Sequence, residues 1–285
     1  MSATTATNAT PVRVMIGSGE ASRLERKVLV HSLRKQTSGP LEVYVLNGTH
    51  DSVEKNDEPP ERIGLSLSIK YRNVTEFSNY RWCIPDLVGH TGRAIYLDSD
   101  MICLRDLREL FEAEMGDHHF LAKPDAYGGG DGAWALSVSL IDCDRTRFDT
   151  ETYFREIEAG EYPYGDLHRL SPRSLARHPF SIGTIDPRWN EFDRFNGETR
   201  LIHYTNLFTQ PWKYPRHPAG DLWFREFEEA REAGIVTEED IELSLARAMV
   251  RPNLLEGNRP SITKDVLRRM KRMVRSRFPR TGGSG

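Results

Sequence analysis

Residues 12–46 read VRVMIGSGEASRLERKVLVHSLRKQTSGPLEVYVL, and the order of elements inside this stretch decides the fold class. Val12 to Ile16 is a short apolar run ending at Gly17-Ser18-Gly19, a buried strand entering a turn. From Glu20 to Lys35 the apolar positions Ala21, Leu24, Val28 and Leu29, then Ser32 and Leu33, keep a helical period. Thr37-Ser38-Gly39-Pro40 ends that run, since proline lacks the N–H a helix needs, and Leu41 to Leu46 returns as a strand. Strand, helix and strand in direct succession predict a βαβ unit and an α/β chain.

Further along, Asp51 to Arg62 with Pro59-Pro60 predicts a loop, and the alternation from Ser66 to Tyr71 a strand. Phe77 to Val88 reads as a helix that Pro85 bends or ends. Arg93 to Leu97 is a strong apolar strand delivered straight into Asp98-Ser99-Asp100. A short helix is expected at Asp106 to Phe111 and a second apolar strand at Leu136 to Asp142. Pro163 to Pro187 reads as loop, Arg200 to Tyr204 as a short strand, and Asp221 to Ala233 and Glu238 to Met249 as amphipathic helices. No internal repeat and no interior linker divides the chain.

With 285 residues, 38% of them hydrophobic and 28% charged, the chain can bury a real core, which excludes a disordered or fibrous protein. No apolar run reaches the length of a membrane span. Met1 to Thr10, rich in Ser, Thr, Ala and Asn, lacks the basic start and apolar stretch of a secretory signal and is expected to be a disordered lead-in. Cys83, Cys103 and Cys143 form an odd set without a CxxC, which points to a reducing, cytoplasmic setting. The Asn-x-Thr triplets at Asn8, Asn47 and Asn73 then read as chance or turn chemistry. From Arg259 to Arg280 nine Lys and Arg face one acid, Asp265, a local charge of +8 that leaves −11 on the rest.

The chemistry centres on Asp98-Ser99-Asp100. Open α/β sheets bind ligands outside the strand ends, and two carboxylates spaced i, i+2 there suit a hard divalent cation. Alone, the triplet reads equally as an ordinary acidic turn. An apolar strand followed by DxD also opens the haloacid-dehalogenase-type phosphohydrolases, with the first Asp as nucleophile. That family wants Thr or Val where Ile102 stands, and a downstream Lys and acidic pair for which Gly116-Asp117-His118 is a poor match. The phosphohydrolase reading ranks behind.

The segment His203-Tyr204-Thr205-Asn206-Leu207-Phe208-Thr209-Gln210-Pro211-Trp212 settles that ranking. Together with Tyr80 to Pro85 and the strand end Tyr96 to Met101, it resembles the retaining glycosyltransferases of family 8. This group includes glycogenin and the galactosyl- and glucosyltransferases of bacterial lipopolysaccharide. The likeness runs from about Val12 to Trp223. It implies a GT-A-type fold, a central mixed sheet flanked by helices, moving a hexose from a UDP-sugar to a hydroxyl acceptor with retention. It also implies that Asp98, Asp100 and His203 hold Mn²⁺ (or Mg²⁺), with Asp98 and Asp100 counted as catalytic. Ile16, Gly17 and Ser18 would line the uridine and Arg81 would reach the phosphates or donor sugar, with Ser99 in the same donor-binding set. Asp131 and Asp166 are candidates for donor-sugar or acceptor hydroxyls. The family's loop reads His-x5-Lys-Pro-Trp with the Lys on the diphosphate. This chain has one residue more and Gln210 in that place, with Lys213 just beyond Trp212 as the nearest substitute cation. Leu136 to Asp142 also departs from the family's Asn-x-Gly-Val strand, which bears on the donor sugar. A catalytically silent nucleotide-sugar-binding protein is the alternative that the absent lysine suggests.

Other residues have plainer readings. A His beside a Tyr is commonly structural, an Arg on a helix face is commonly in an ion pair, and Trp82, Trp189 and Trp212 read as core or pocket-wall aromatics. Gly128-Gly129-Gly130-Asp131-Gly132 lacks the strand-to-helix context of a phosphate loop and is expected to be an acceptor-side loop. No carboxylate is well placed as a nucleophile, so the implied retaining route is front-face displacement within a donor–acceptor ion pair.

After Ile262, apolar residues recur at Val266, Leu267, Met270, Met273, Val274 and Phe278, opposed by Arg268, Arg269, Lys271, Arg272 and Arg275. This basic amphipathic stripe suits an anionic bilayer, the inner face of a membrane, or equally packing on the domain. The acidic body and the lack of a reading motif disfavour nucleic acid. The expected organisation is a disordered 1–11, a catalytic domain over 12–258, and a basic helix with flexible end over 259–285. The acceptor is expected to be a saccharide, a glycolipid or a small polyol.

Overall fold

Strand β1, Val12–Ser18, alternates its side chains between two cores, which is why it reads as an unbroken apolar run. The computed structural model describes residues 9–63, 75–124 and 132–259. Helix α1, Arg23–Gln36, returns the chain to strand β2, Leu41–Asn47, which pairs parallel to β1 from Val12↔Leu41 to Ser18↔Asn47. The βαβ unit expected from the sequence is therefore present, with a single 3₁₀ turn at Glu20–Ser22 between β1 and α1.

Strand β3, Ser52–Lys55, folds back antiparallel on β2, and the two-residue β4, Glu61–Arg62, pairs with β3. The loop expected over Asp51 to Arg62 is thus corrected to a small meander on the sheet edge. Its charged, Pro-interrupted sequence hid the strands, because an edge strand needs little apolar content. The strand expected at Ser66 to Tyr71 lies outside the described residues. The helix expected from Phe77 to Val88 is instead a 3₁₀ turn, Tyr80–Cys83, followed by the one-turn α2, Ile84–Leu87. Pro85 sits in the first turn of α2, where its missing N–H is not needed.

Strand β5, Arg93–Asp98, lies parallel to β1 and antiparallel to β8, Trp134–Asp142. Between them come β6, Met101–Cys103, the one-turn α3, Arg108–Phe111, and β7, Phe120–Pro124. Helix α4, Thr150–Glu158, which sequence periodicity did not reveal, starts where the Asp149 side chain accepts from the Thr152 amide over 3.0 Å. Pro163 to Pro187, expected as loop, holds the short helices α5, Tyr164–His168, and α6, Pro172–Arg177, and strand β9, Ile182–Thr184. Elements this short carry too little of a period to be read from sequence.

The main sheet runs β4-β3-β2-β1-β5-β8-β7-β9 with parallel and antiparallel pairs. A second sheet joins β10, Glu191–Phe192, and β11, Leu201–His203, to β6 in the order β10-β11-β6. Val14, Ile16, Ile95 and Leu97 fill the core on one face of the main sheet, while Met15, Ala94 and Tyr96 fill the core on the other. A third core joins α1 to helix α7, Gly220–Glu232, around Trp212, Trp223 and Phe227. Side-chain bonds clamp this layer: His31 Nδ1 lies 2.6 Å from Glu226 Oε1, and Arg23 Nε lies 2.8 Å from Asp240 on α8, Glu238–Ala246. No helix among the described residues is long and apolar enough to cross a membrane.

Candidate functional site

Asp98 ends β5 at the carboxyl end of a central strand, level with Gly17 of β1. Three residues on, β6 begins and pairs antiparallel with β11 in the second sheet, so that Met101 faces His203. The Tyr204 amide donates to the Asp100 carbonyl over 2.9 Å. The acidic turn and the His-Tyr segment, about a hundred residues apart in sequence, are thereby stapled together by backbone. Asp98, Asp100 and His203 each present a ligand atom, all within 4.8 Å of one another. Sequence reasoning named these three, and the fold brings them together.

His203 Nε2 lies 3.0 Å from Asp100 Oδ1, while Nδ1 lies 3.2 Å from Asn190 Oδ1. The Asn190 amide is oriented in turn by donating to Ser137 Oγ over 3.0 Å, so its oxygen faces the imidazole and Nδ1 carries the hydrogen. That leaves Nε2 as the atom free to ligate once His203 is neutral, the arrangement by which a supporting acceptor fixes a ligating histidine. Burial alone would lower the His203 pKa, but Asp100 and Asp98 outweigh it and carry it above the usual imidazole value. Burial likewise lifts Asp98 above the usual carboxylate range, against the pull of Arg81 and His203. Two carboxylates and an imidazole with a net deficit of positive charge fit a divalent cation of the Mn²⁺ or Mg²⁺ kind. A second cluster, His31, Glu226 and Glu229, does not call for one, because the Lys35 ammonium already bonds both glutamates.

Arg81 is buried with its guanidinium 4.7 Å over the Tyr96 ring and 3.6 Å from Asp98 Oδ1. Its Nε donates to the Ser78 carbonyl over 3.0 Å, and Tyr96 and Asp98 together hold its charge against burial. It thus leaves the ordinary surface role of a helix arginine and faces a cleft of about 430 Å³. That cleft is also lined by Asp98, Ser137, His168, Arg169 and His203. His168 and Arg169 were missed by sequence reasoning, since a His-Arg pair in a loop-like stretch carries no motif. Burial, then Arg81 and Arg169, push the His168 pKa down to about 3, so its ring is neutral at ordinary pH.

At the end of β1 the structure narrows the expectation. The Ile16 side chain lies in the core, and Ser18 Oγ is taken by Ser22 Oγ at 3.0 Å and Arg26 at 3.3 Å. Ile16 and Ser18 therefore turn their side chains away, and backbone is what this turn offers a ligand. Gly17 is required by close packing, because a Cβ there would stand 2.3 Å from Tyr96 Oη and 2.7 Å from Phe77. Ser99 is buried between the two aspartates. Gln210 Nε2 donates to Asp100 Oδ2 over 3.1 Å, placing this residue against the acidic turn. Lys213, half-exposed, opposes the upward pull of burial on Glu25, which also senses Asp100 and is pushed up to about 7. Asp166 is not among the residues lining the cleft, although His168 on the same short helix is. Asp131, the glycine-rich stretch before it and the basic segment from residue 260 lie outside the described residues.

Residues 27–159 match the family model described as Glycosyl transferase family 8. Over that stretch, a little under half of its length, the chain is similar to the family. The matched stretch contains the Asp98-Ser99-Asp100 turn but stops short of His203. Over 93 residues the chain is 34% identical to the glycosyltransferase GlyE of Streptococcus pneumoniae serotype 4 (strain ATCC BAA-334 / TIGR4), a match to 33% of this chain. That match spans only 22% of the length of GlyE. Protein CDI of Arabidopsis thaliana is 26% identical, with 77% of this chain and 87% of CDI covered. Among solved structures, the galactosyltransferase LgtC in complex with donor and acceptor sugar analogues superposes with a TM-score of 0.61. The overlap covers 81% of this chain and 100% of LgtC at 15% identity, a likeness of fold. The apo form of GlyE gives 0.55 at 17% identity, covering 90% of this chain and 66% of that one. The expected GT-A-type mixed α/β fold is the fold observed.

Proposed function

We propose that this chain is a member of glycosyltransferase family 8 and acts as a metal-dependent retaining glycosyltransferase that moves a hexose from a UDP-sugar to a hydroxyl of a saccharide, glycolipid or small polyol. The observation that carries this reading is the convergence of Asp98, Asp100 and His203 at the strand ends, beside a cleft walled by Arg81. Mn²⁺ (or Mg²⁺) held by these three side chains would supply Lewis-acid stabilisation of the charge building on the leaving diphosphate. Arg81, already paired to Asp98 and Tyr96, would add a fixed positive charge on the same side.

His168 lines the cleft as a neutral ring and is suited to hydrogen-bonding sugar hydroxyls rather than phosphate. Lys213 would stand in for the lysine that Gln210 displaces from the loop. Among the described residues lining the cleft, Asp98 is the sole carboxylate, and it belongs to the metal cluster. This favours front-face displacement, in which the leaving phosphate oxygen takes the acceptor proton and the protein supplies positioning and electrostatics. A cytoplasmic setting, with the segment after Arg259 on an anionic bilayer or on the domain, completes the reading.

Calorimetry with UDP and Mn²⁺ tests it. Binding by the natural chain that EDTA abolishes and that Asp100→Ala removes is expected. Equal binding by both chains would leave the DxD as a turn.

A further inference from the structure

Gln210 is buried, with 2% of its surface exposed, at the point where the loop after β11 turns back under the acidic turn. Its Nε2 donates to the Tyr204 carbonyl over 2.9 Å and to Asp100 Oδ2 over 3.1 Å. Both amide hydrogens are thereby used, which fixes the amide plane. Its Oε1 is buried without a hydrogen-bond partner, so the nitrogen side alone holds the group.

The base under Gln210 is rigid. Trp212 is fully buried against Tyr204 and Trp223, with ring centroids 5.8 and 5.2 Å away. The Arg251 amide donates to the Trp212 carbonyl over 2.9 Å, and Arg251 Nε reaches the Pro211 carbonyl over 3.2 Å. The Gln210 carbonyl takes the amides of both Lys213 and Tyr214, at 2.9 and 2.8 Å.

The two oxygens of Asp100 are thus committed differently. Oδ1 faces His203 Nε2 at 3.0 Å, inside the three-residue cluster, while Oδ2 is tied back to Gln210. We propose that Gln210 is a positioning residue of the metal site: its amide holds Asp100 Oδ2 so that Oδ1 alone is presented, with Asp98 and His203, to a divalent cation. An amide suits this task because it donates without bringing positive charge against a cation-binding carboxylate, as an ammonium would. The proposal rests on the metal-binding reading of the site.

Calorimetric titration of the full chain with Mn²⁺ tests it, using Gln210→Met, Asp100→Asn and the double variant, with Gln210→Leu as a second replacement of similar volume. Removing a group that orients a metal ligand typically weakens affinity by about ten-fold to a hundred-fold. Gln210→Met is expected to weaken Mn²⁺ binding by at least about ten-fold. In the Asp100→Asn background the same change is expected to add almost nothing, because the one oxygen left on that side chain cannot serve both the cation and Gln210. An equal loss in both backgrounds, which a role confined to Tyr204 would give, overturns the proposal. So does unchanged Mn²⁺ affinity in Gln210→Met or Gln210→Leu. Failure of the natural chain to bind Mn²⁺ contradicts the metal reading itself, a result distinct from natural binding that Gln210 does not affect.

Discussion

The Tyr96 hydroxyl donates a 2.7 Å hydrogen bond to Asp98 Oδ1, two residues further along the same face of β5. Arg81 reaches both groups, 3.5 Å from the hydroxyl and 3.6 Å from the carboxylate oxygen. The strand pleat thus puts a core aromatic under the cluster of Asp98, Asp100 and His203 as a fixed donor. Tyr96→Phe keeps the ring beneath Arg81 and deletes this bond together with the longer one that the hydroxyl accepts from Arg81. It should lower stability by about 1 kcal/mol. Mn²⁺ affinity should fall several-fold, and calorimetry beside thermal unfolding measures both.

Asp98 is a site where function and stability pull apart. Burial raises its pKa and Asp100 adds to the strain, so the metal-free protein carries a poorly solvated carboxylate. Asp98→Asn retains an acceptor for Tyr96 and removes the charge. The metal-free variant should be as stable as the natural chain or more stable by roughly 1 kcal/mol. Its Mn²⁺-dependent UDP binding should be lost. Chemical denaturation in EDTA, compared with calorimetry in Mn²⁺, separates the two effects.

Asn190 stands behind His203 and selects which imidazole nitrogen faces the cluster. Asn190→Leu removes that selection and strands the Ser137 hydroxyl. Mn²⁺ affinity should drop by about ten-fold or more. The buried polar partners left behind should lower stability by about 1–3 kcal/mol.

Buried Glu25 and half-buried His168 give the stability profile opposite slopes. Glu25 has a folded pKa of about 7 against an ordinary 4.5, so the native state holds its proton more tightly than the unfolded chain. Its contribution is complete below 4.5 and is lost as pH rises through about 7. Glu25→Gln should therefore gain on the natural chain between pH 4.5 and 8, by up to about 3 kcal/mol. His168 runs the other way: its folded pKa of about 3 lies below 6.5, so stability falls as pH drops from 6.5 toward 3. His168→Gln should flatten the acid side alone. Urea unfolding of the three proteins across this range measures both slopes.

The parallel centre of the fold was legible because β1, α1, β2 and β5 are long and strongly patterned. The edge meander at residues 52–62 and the small elements between residues 163 and 187 were not, since charged edge strands and one- or two-turn helices leave little periodicity. Of the site, the residues on named motifs could be found: Asp98, Asp100 and His203 do converge, and Arg81 does reach the cleft. Asn190, His168 and Arg169 act through placement alone, which no spacing reveals. Ile16 and Ser18 sit at the expected strand end, yet the pleat and Arg26 turn their side chains inward.

The measurement that bears most directly on the account is UDP release from a panel of UDP-sugars, with Mn²⁺ and with EDTA, alongside p-nitrophenyl phosphate. The account predicts metal-dependent turnover of one UDP-hexose, abolished by EDTA, with no hydrolysis of the phosphate ester. Phosphate-ester hydrolysis without turnover of any UDP-sugar would contradict it and return the Asp98 carboxylate to the role of a nucleophile.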